Sequence, residues 1–170
     1  KHIYALAQNW KKDQEEALKL KDSCEPERFY MLNYESLIAD PETEMRKLCD
    51  FLQVPYTDKI MEYYTSRESK NTAVAGKMWS NVTKPILKNN SKKFMNELSS
   101  EDIRIFESVA GDVLVKLGYE LVTPADQLIS DFSADEIARF KELNAQLKQT
   151  FRQKMDPADL EKRRKQEELL

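Results

Sequence analysis

Apolar residues at Ile3, Leu6, Ala7, Trp10, Ala17 and Leu18, with charges between them, have broadly helical spacing and predict a helix over residues 3–22. Cys24-Glu25-Pro26 ends it. Residues 28–33, Arg-Phe-Tyr-Met-Leu-Asn, form a short apolar and aromatic run that reads as a strand. A lone strand leaves backbone groups unpaired. Its ladder partners are not evident in the chain, which suggests further sequence upstream. Asp40-Pro41 is a helix start, because Asp40 can accept from free amides and Pro41 suits the first helical position. Met45, Leu48, Cys49 and Leu52 follow at i, i+3, i+4 and i+7 as a core stripe, and Val54-Pro55 closes it. A short helix over 58–64 comes next.

Ser99 caps a further helix, with Asp102 near the reciprocal position. Ile103, Phe106, Ala110, Val113 and Leu117 share one of its faces, and Gly118 suits a left-handed stop. Thr123-Pro124 starts a helical turn. Ser133-Ala134-Asp135-Glu136 is a capping box for a helix carrying Ile137, Phe140, Leu143, Leu147 and Phe151. Asp156-Pro157 restarts a charged helix through Lys162-Arg163-Arg164-Lys165. Residues 131–170 balance nine acids against nine bases. They read as an appendage that packs on its own domain, or that contacts a protein partner or a second copy of the chain.

Charge changes this picture in one place. The chain carries a net charge of −3, yet Ser69 to Asn96 holds six lysines (Lys70, Lys77, Lys84, Lys88, Lys92 and Lys93) and no acid. Glu68 and Glu97 close the window. Trp79, Asn81, Asn89, Asn90 and Ser91 lie within it, and helix signals are few. A long cationic loop between helices suits a phosphate- or sulfate-bearing ligand, or serves only as a solvated surface. A sequence pI near 5.4 and the lack of a recognised nucleic-acid motif argue against nucleic acid.

Composition removes other chemistries. With three glycines the chain has no Gly-rich phosphate loop. Its one histidine, His2, leaves no Ser-His-Asp site and no multi-histidine metal site. Cys24 and Cys49 lack metal-like spacing and read as reduced thiols, which points toward the cytoplasm. No apolar run spans a membrane.

Tyr34-Glu35-Ser36-Leu37, Asp40-Pro41, Phe51-Leu52, Lys84-Pro85-Ile86, Ser91-Lys92-Lys93-Phe94 and Leu117-Gly118-Tyr119 occur in this order. Together they resemble the C-terminal portion of sulfotransferases that use 3′-phosphoadenosine 5′-phosphosulfate, nearest the bacterial and tyrosylprotein branches. The resemblance covers about residues 1–121 and leaves 122–170 as a helical extension. It implies an α/β, P-loop-like sulfotransferase fold with one short strand near 28–33. It also implies in-line transfer of a sulfuryl group to a hydroxyl or amine of a small-molecule or peptide acceptor. In that scheme Lys84 sits near the donor phosphates and Tyr34 contacts the adenosine end. Ser91, Lys92 and Lys93 form a basic flap over the nucleotide, unless the two lysines are a plain surface pair. Trp79 lines the acceptor pocket or packs in the core.

The sequence departs from the family pattern at Asn33 (usually arginine), Gln53 (usually glycine), Phe94 (usually tryptophan) and Lys92-Lys93 (usually a Gly-Arg type pair). The N-terminal donor loop and the catalytic base have no counterpart, so the chain alone is expected to be inactive. The alternative is a non-catalytic, sulfotransferase-like scaffold that uses its C-terminal helices. Related branches work in the cytosol and in the Golgi lumen.

Overall fold

The computed structural model describes residues 1–88, 90–157, 160, 161 and 164. Every regular element among them is helical: α1 (Ile3–Ser23), α2 (Tyr34–Ala39), α3 (Pro41–Phe51), α4 (Arg67–Ala75), α5 (Phe94–Glu97), α6 (Ser100–Lys116) and α7 (Ala134–Gln153), with short 3-10 helices between them.

The expected α/β, P-loop-like fold is therefore overturned, because no strand occurs among the described residues. The run read as a strand begins in a 3-10 turn, Pro26–Arg28, and continues extended through Asn33 without a ladder. Phe29, Tyr30 and Leu32 are half-buried, and Tyr30 packs on Phe51 with centroids 5.1 Å apart. Side-chain burial thus accounts for the apolar run that pattern alone assigned to a sheet.

The lysine window is not one long loop either. Ser66 accepts from the Ser69 amide at 3.0 Å and caps α4, and a 3-10 helix covers Lys77–Thr83. The irregular part is confined to Lys84 through Lys93. Asn89 of this window, and Lys162, Arg163 and Lys165 of the charged C-terminal run, lie outside the described residues.

The chain divides into two compact units, residues 1–19 with 94–170, and residues 20–93. In the first, α1 buries Tyr4 and Ala7, and α6 buries Ile103, Ile105, Ala110 and Val113. Trp10 packs against Phe106 with centroids 5.6 Å apart. Tyr4, Phe132 and Phe140 form an aromatic cluster with His2 stacked on Phe140. The caps read from sequence are present. Ser99 accepts from the Asp102 amide at 3.1 Å, Ser133 and Glu136 form a reciprocal capping box, and Gly118 has φ +85°.

The segment after Gly118 is held by two side chains of α6. Glu107, buried, accepts from the amides of Val122 (2.8 Å) and Thr123 (2.7 Å). Ser108 accepts from the Ile129 amide at 2.9 Å. Gly111 leaves room for Leu121, since a Cβ there would stand 3.2 Å from a Leu121 methyl.

In the second unit, Asn33 caps α2 by accepting from Ser36, and Asp40 caps α3 by accepting from Thr43. Ile38 on α2 and Cys49 on α3 are buried, each burial contributing about 1–3 kcal/mol. Leu52, expected in the core stripe, lies just past the end of α3 and is exposed. Arg46 lies over the Tyr56 ring at 3.9 Å while pairing with Glu42 at 2.7 Å.

Candidate functional site

The residues nominated from sequence all belong to the unit spanning residues 20–93. Pro85 biases Lys84 toward extended backbone, and Lys84 has φ −118°, ψ 152°. Its carbonyl accepts from the Tyr63 hydroxyl at 2.8 Å. Its ammonium donates to the Asn81 amide oxygen at 3.0 Å rather than reaching Tyr34. Burial, then the neighbouring Tyr64, raises the Tyr63 pKa above the ordinary tyrosine value. The hydroxyl therefore remains protonated and able to donate to Lys84.

Near the other end of the loop, the Asn90 side-chain amide donates to the Tyr34 hydroxyl at 2.6 Å. Tyr34 is the first residue of α2 and is 44% exposed. Two tyrosine hydroxyls thus tie down the start and the latter part of one cationic loop. Ser91 is half-buried beside Asn90, whereas Lys92 and Lys93 are exposed. Lys92 has φ +55°, the left-handed region that favours glycine. Gln53 also has φ +55°. Both are positions where the resembled family usually carries glycine.

The loop's charge extends to α3. Asp40 has its carboxyl held below the usual aspartate value, first by hydrogen bonds from Thr43 and then by the charges of Lys47 and Lys88. Trp79 is half exposed, with its ring edge 3.9 Å from where a Cβ on Gly76 would stand.

The structure therefore joins Tyr34 to Asn90, and anchors Lys84 separately through Tyr63 and Asn81. Sequence reasoning missed Tyr63 and gave Asn90 no role. The Asn89-Asn90-Ser91 turn cluster was a usable signal for Asn90. Tyr63 had none, because its bond is to a backbone carbonyl.

Among the described residues no three His, Cys, Asp or Glu side chains are grouped as metal donors. No described helix is long and apolar enough to cross a membrane. A groove of about 610 Å³ occurs in the other unit, lined by Lys11, Asp112, Val115, Lys116, Leu121 and Leu128 among others, and none of the nominated residues lines it.

Residues 1–58 match the model of the Sulfotransferase family, which supports a sulfotransferase-type domain over those residues. The match takes in Tyr34-Glu35-Ser36-Leu37, Asp40-Pro41 and Phe51-Leu52, and ends before the cationic loop. An uncharacterized protein of Aquifex aeolicus (strain VF5) is 35% identical over 48 residues, which are 28% of this chain and 6% of that protein. The chain thus corresponds to a small part of that relative. No solved structure matches.

Proposed function

We propose that the chain contributes the nucleotide-covering part of a sulfotransferase whose donor is 3′-phosphoadenosine 5′-phosphosulfate. The observation that carries this is the acid-free loop from Lys84 to Lys93, anchored by Tyr63 at one end and by Tyr34 near the other. Tyr34 itself falls within the part of the chain that matches the Sulfotransferase family.

The donor set suits the anionic end of such a nucleotide, with ammonium groups at Lys84, Lys92 and Lys93 and a hydroxyl at Ser91, while the Tyr34 ring suits its adenosine end. When bound, the nucleotide supplies the sulfuryl group. Lys84, Lys92 and Lys93 offset the charge of phosphate oxygens, each charge-assisted hydrogen bond contributing about 1.5–3 kcal/mol. Ser91 adds a neutral donor. Tyr34 offers its ring for stacking while its hydroxyl is occupied by Asn90. Anchoring the loop in advance lowers the entropy lost on binding. Sulfuryl transfer, like phosphoryl transfer, depends on positioning and on fixed positive charge.

The test is calorimetric titration of 3′,5′-adenosine bisphosphate into the polypeptide that contains this chain. Saturable heat that shrinks in Lys84→Ala is expected. Absence of heat, together with an unchanged melting temperature, overturns the assignment.

A second reading, assembly through the C-terminal helices, draws on α7. Leu147 and Phe151, one turn apart, are 47% and 61% exposed. If they hold a partner or a second copy, Leu147→Asp lowers the mass in light scattering. An unchanged mass counts against it.

A further inference from the structure

In the first unit α1 and α7 run antiparallel. His2, before α1, stacks on Phe140, and its amide donates to Asn144 at 3.0 Å. Tyr4, further along α1, reaches back to Phe140 and Phe132. Beyond Asn144 this contact stops. Every residue from 145 to 154 is exposed, so the end of α7 runs about 15 Å past the start of α1. The overhang carries the same stripe onward. At about 100° per residue, Phe140, Asn144, Leu147 and Phe151 fall within about 60° of one another around the helix. Phe140 and Asn144 meet the start of α1, whereas Leu147 and Phe151 are 47% and 61% exposed.

We propose that a second copy of the chain covers this overhang, the two α7 ends packing antiparallel with Leu147 of each against Phe151 of the other. This pairing rests on assembly through α7, the second reading of the function, and commits its partner to a copy of the chain. Direction and length select that occupant. Whatever continues the α1–α7 interface runs along α7 in the direction of α1, and an antiparallel α7 does so. With Leu147 opposite Phe151 of the copy, Asn144 stands opposite Lys154 of the copy, the C-cap of α7. The copy's helix therefore ends where α1 starts, and it fills the overhang without displacing α1. Such a contact is isologous and closes at two chains. Lys148, Arg152 and Lys154 lie on the overhang, and no acid occurs between Leu143 and Met155. Like charges thus border both copies, and salt strengthens the contact by screening them. A foreign acidic helix would neutralise these bases, but it gives no reason for an overhang that matches its own antiparallel copy in length.

The experiment is sedimentation equilibrium of the 170-residue chain from about 5 to about 200 μM. Monomer and dimer are expected, with more dimer at higher salt. Leu147→Glu and Phe151→Lys change exposed positions and leave the melting temperature near that of the parent at low concentration, yet each raises the dissociation constant about tenfold or more. An equal mixture of the two variants recovers the dimer. In the mixed pair the introduced carboxylate faces the introduced ammonium at one contact, and the other contact stays native. A parent that remains monomeric throughout the range overturns the proposal. Dimers lost in both variants and not recovered in the mixture overturn the antiparallel pairing while assembly through α7 stands. Dimers that neither variant affects overturn assembly through α7 itself.

Discussion

Gln53 and Lys92 hold left-handed backbone with side chains that disfavour it. Relieving that strain with glycine gains about 1–2 kcal/mol, and the added freedom of the unfolded chain removes about 0.5–1 kcal/mol of it. Gln53→Gly is therefore expected to raise unfolding stability by about 0.5–1 kcal/mol in urea melts, while Gln53→Val lowers it. Glu107 is the reverse case, a buried carboxyl group that accepts from two backbone amides. Glu107→Ala leaves both amides unsatisfied and is expected to destabilise by about 3 kcal/mol. The glycine positions were legible as substitutions against the resembled pattern. Glu107 was not legible, because nothing in a helix sequence marks a glutamate whose acceptors are met by a segment fifteen residues later.

Helix starts were the most legible elements. Asp40, Ser99 and Ser133 each accept from the expected amide, because a cap is a local bond between residues three apart and needs no tertiary information. The capping carboxyls carry a pH signature. Asp40 and Glu136 are held below their ordinary pKa values, by hydrogen bonds from Thr43 and Ser133 respectively. Asp112 is lowered chiefly by its hydrogen bond from Lys11. Groups lowered in the folded state contribute stability that is fully present above the ordinary carboxylate range, and it is lost as the pH falls through their folded values. Urea midpoints are thus expected to be flat near neutrality and to fall below about pH 4. A midpoint that rises on acidification contradicts these assignments. Ser133→Ala is expected to cost about 1 kcal/mol and to increase amide exchange in the first turn of α7. The run at 28–33 was misread for a tertiary reason. Half-burial of an apolar run needs a neighbour but not a ladder, and α3 supplies that neighbour to Tyr30 through Phe51. The helical character of 67–83 was hidden by its lysines and asparagines, and the Ser66 cap was the overlooked signal.

At the scale of the whole molecule, a sulfotransferase-type match over residues 1–58 is followed by a cationic loop that is tied back to Tyr34. All six lysines were visible in the sequence, but the anchoring of the loop was not, since Tyr63 and Asn90 act across 21 and 56 residues. If the anchoring matters, Tyr34→Phe frees the Asn90 end of the loop and speeds amide exchange over residues 90–93 without changing the helical circular dichroism. The most direct measurement compares two lysines of the same window. Titrating 3′,5′-adenosine bisphosphate into the polypeptide containing this chain should give a dissociation constant that rises about tenfold or more in Lys84→Ala and less than about twofold in Lys70→Ala. Equal changes in the two variants, or no binding in the parent, would contradict the claim that the loop from Lys84 to Lys93 is a built anion site.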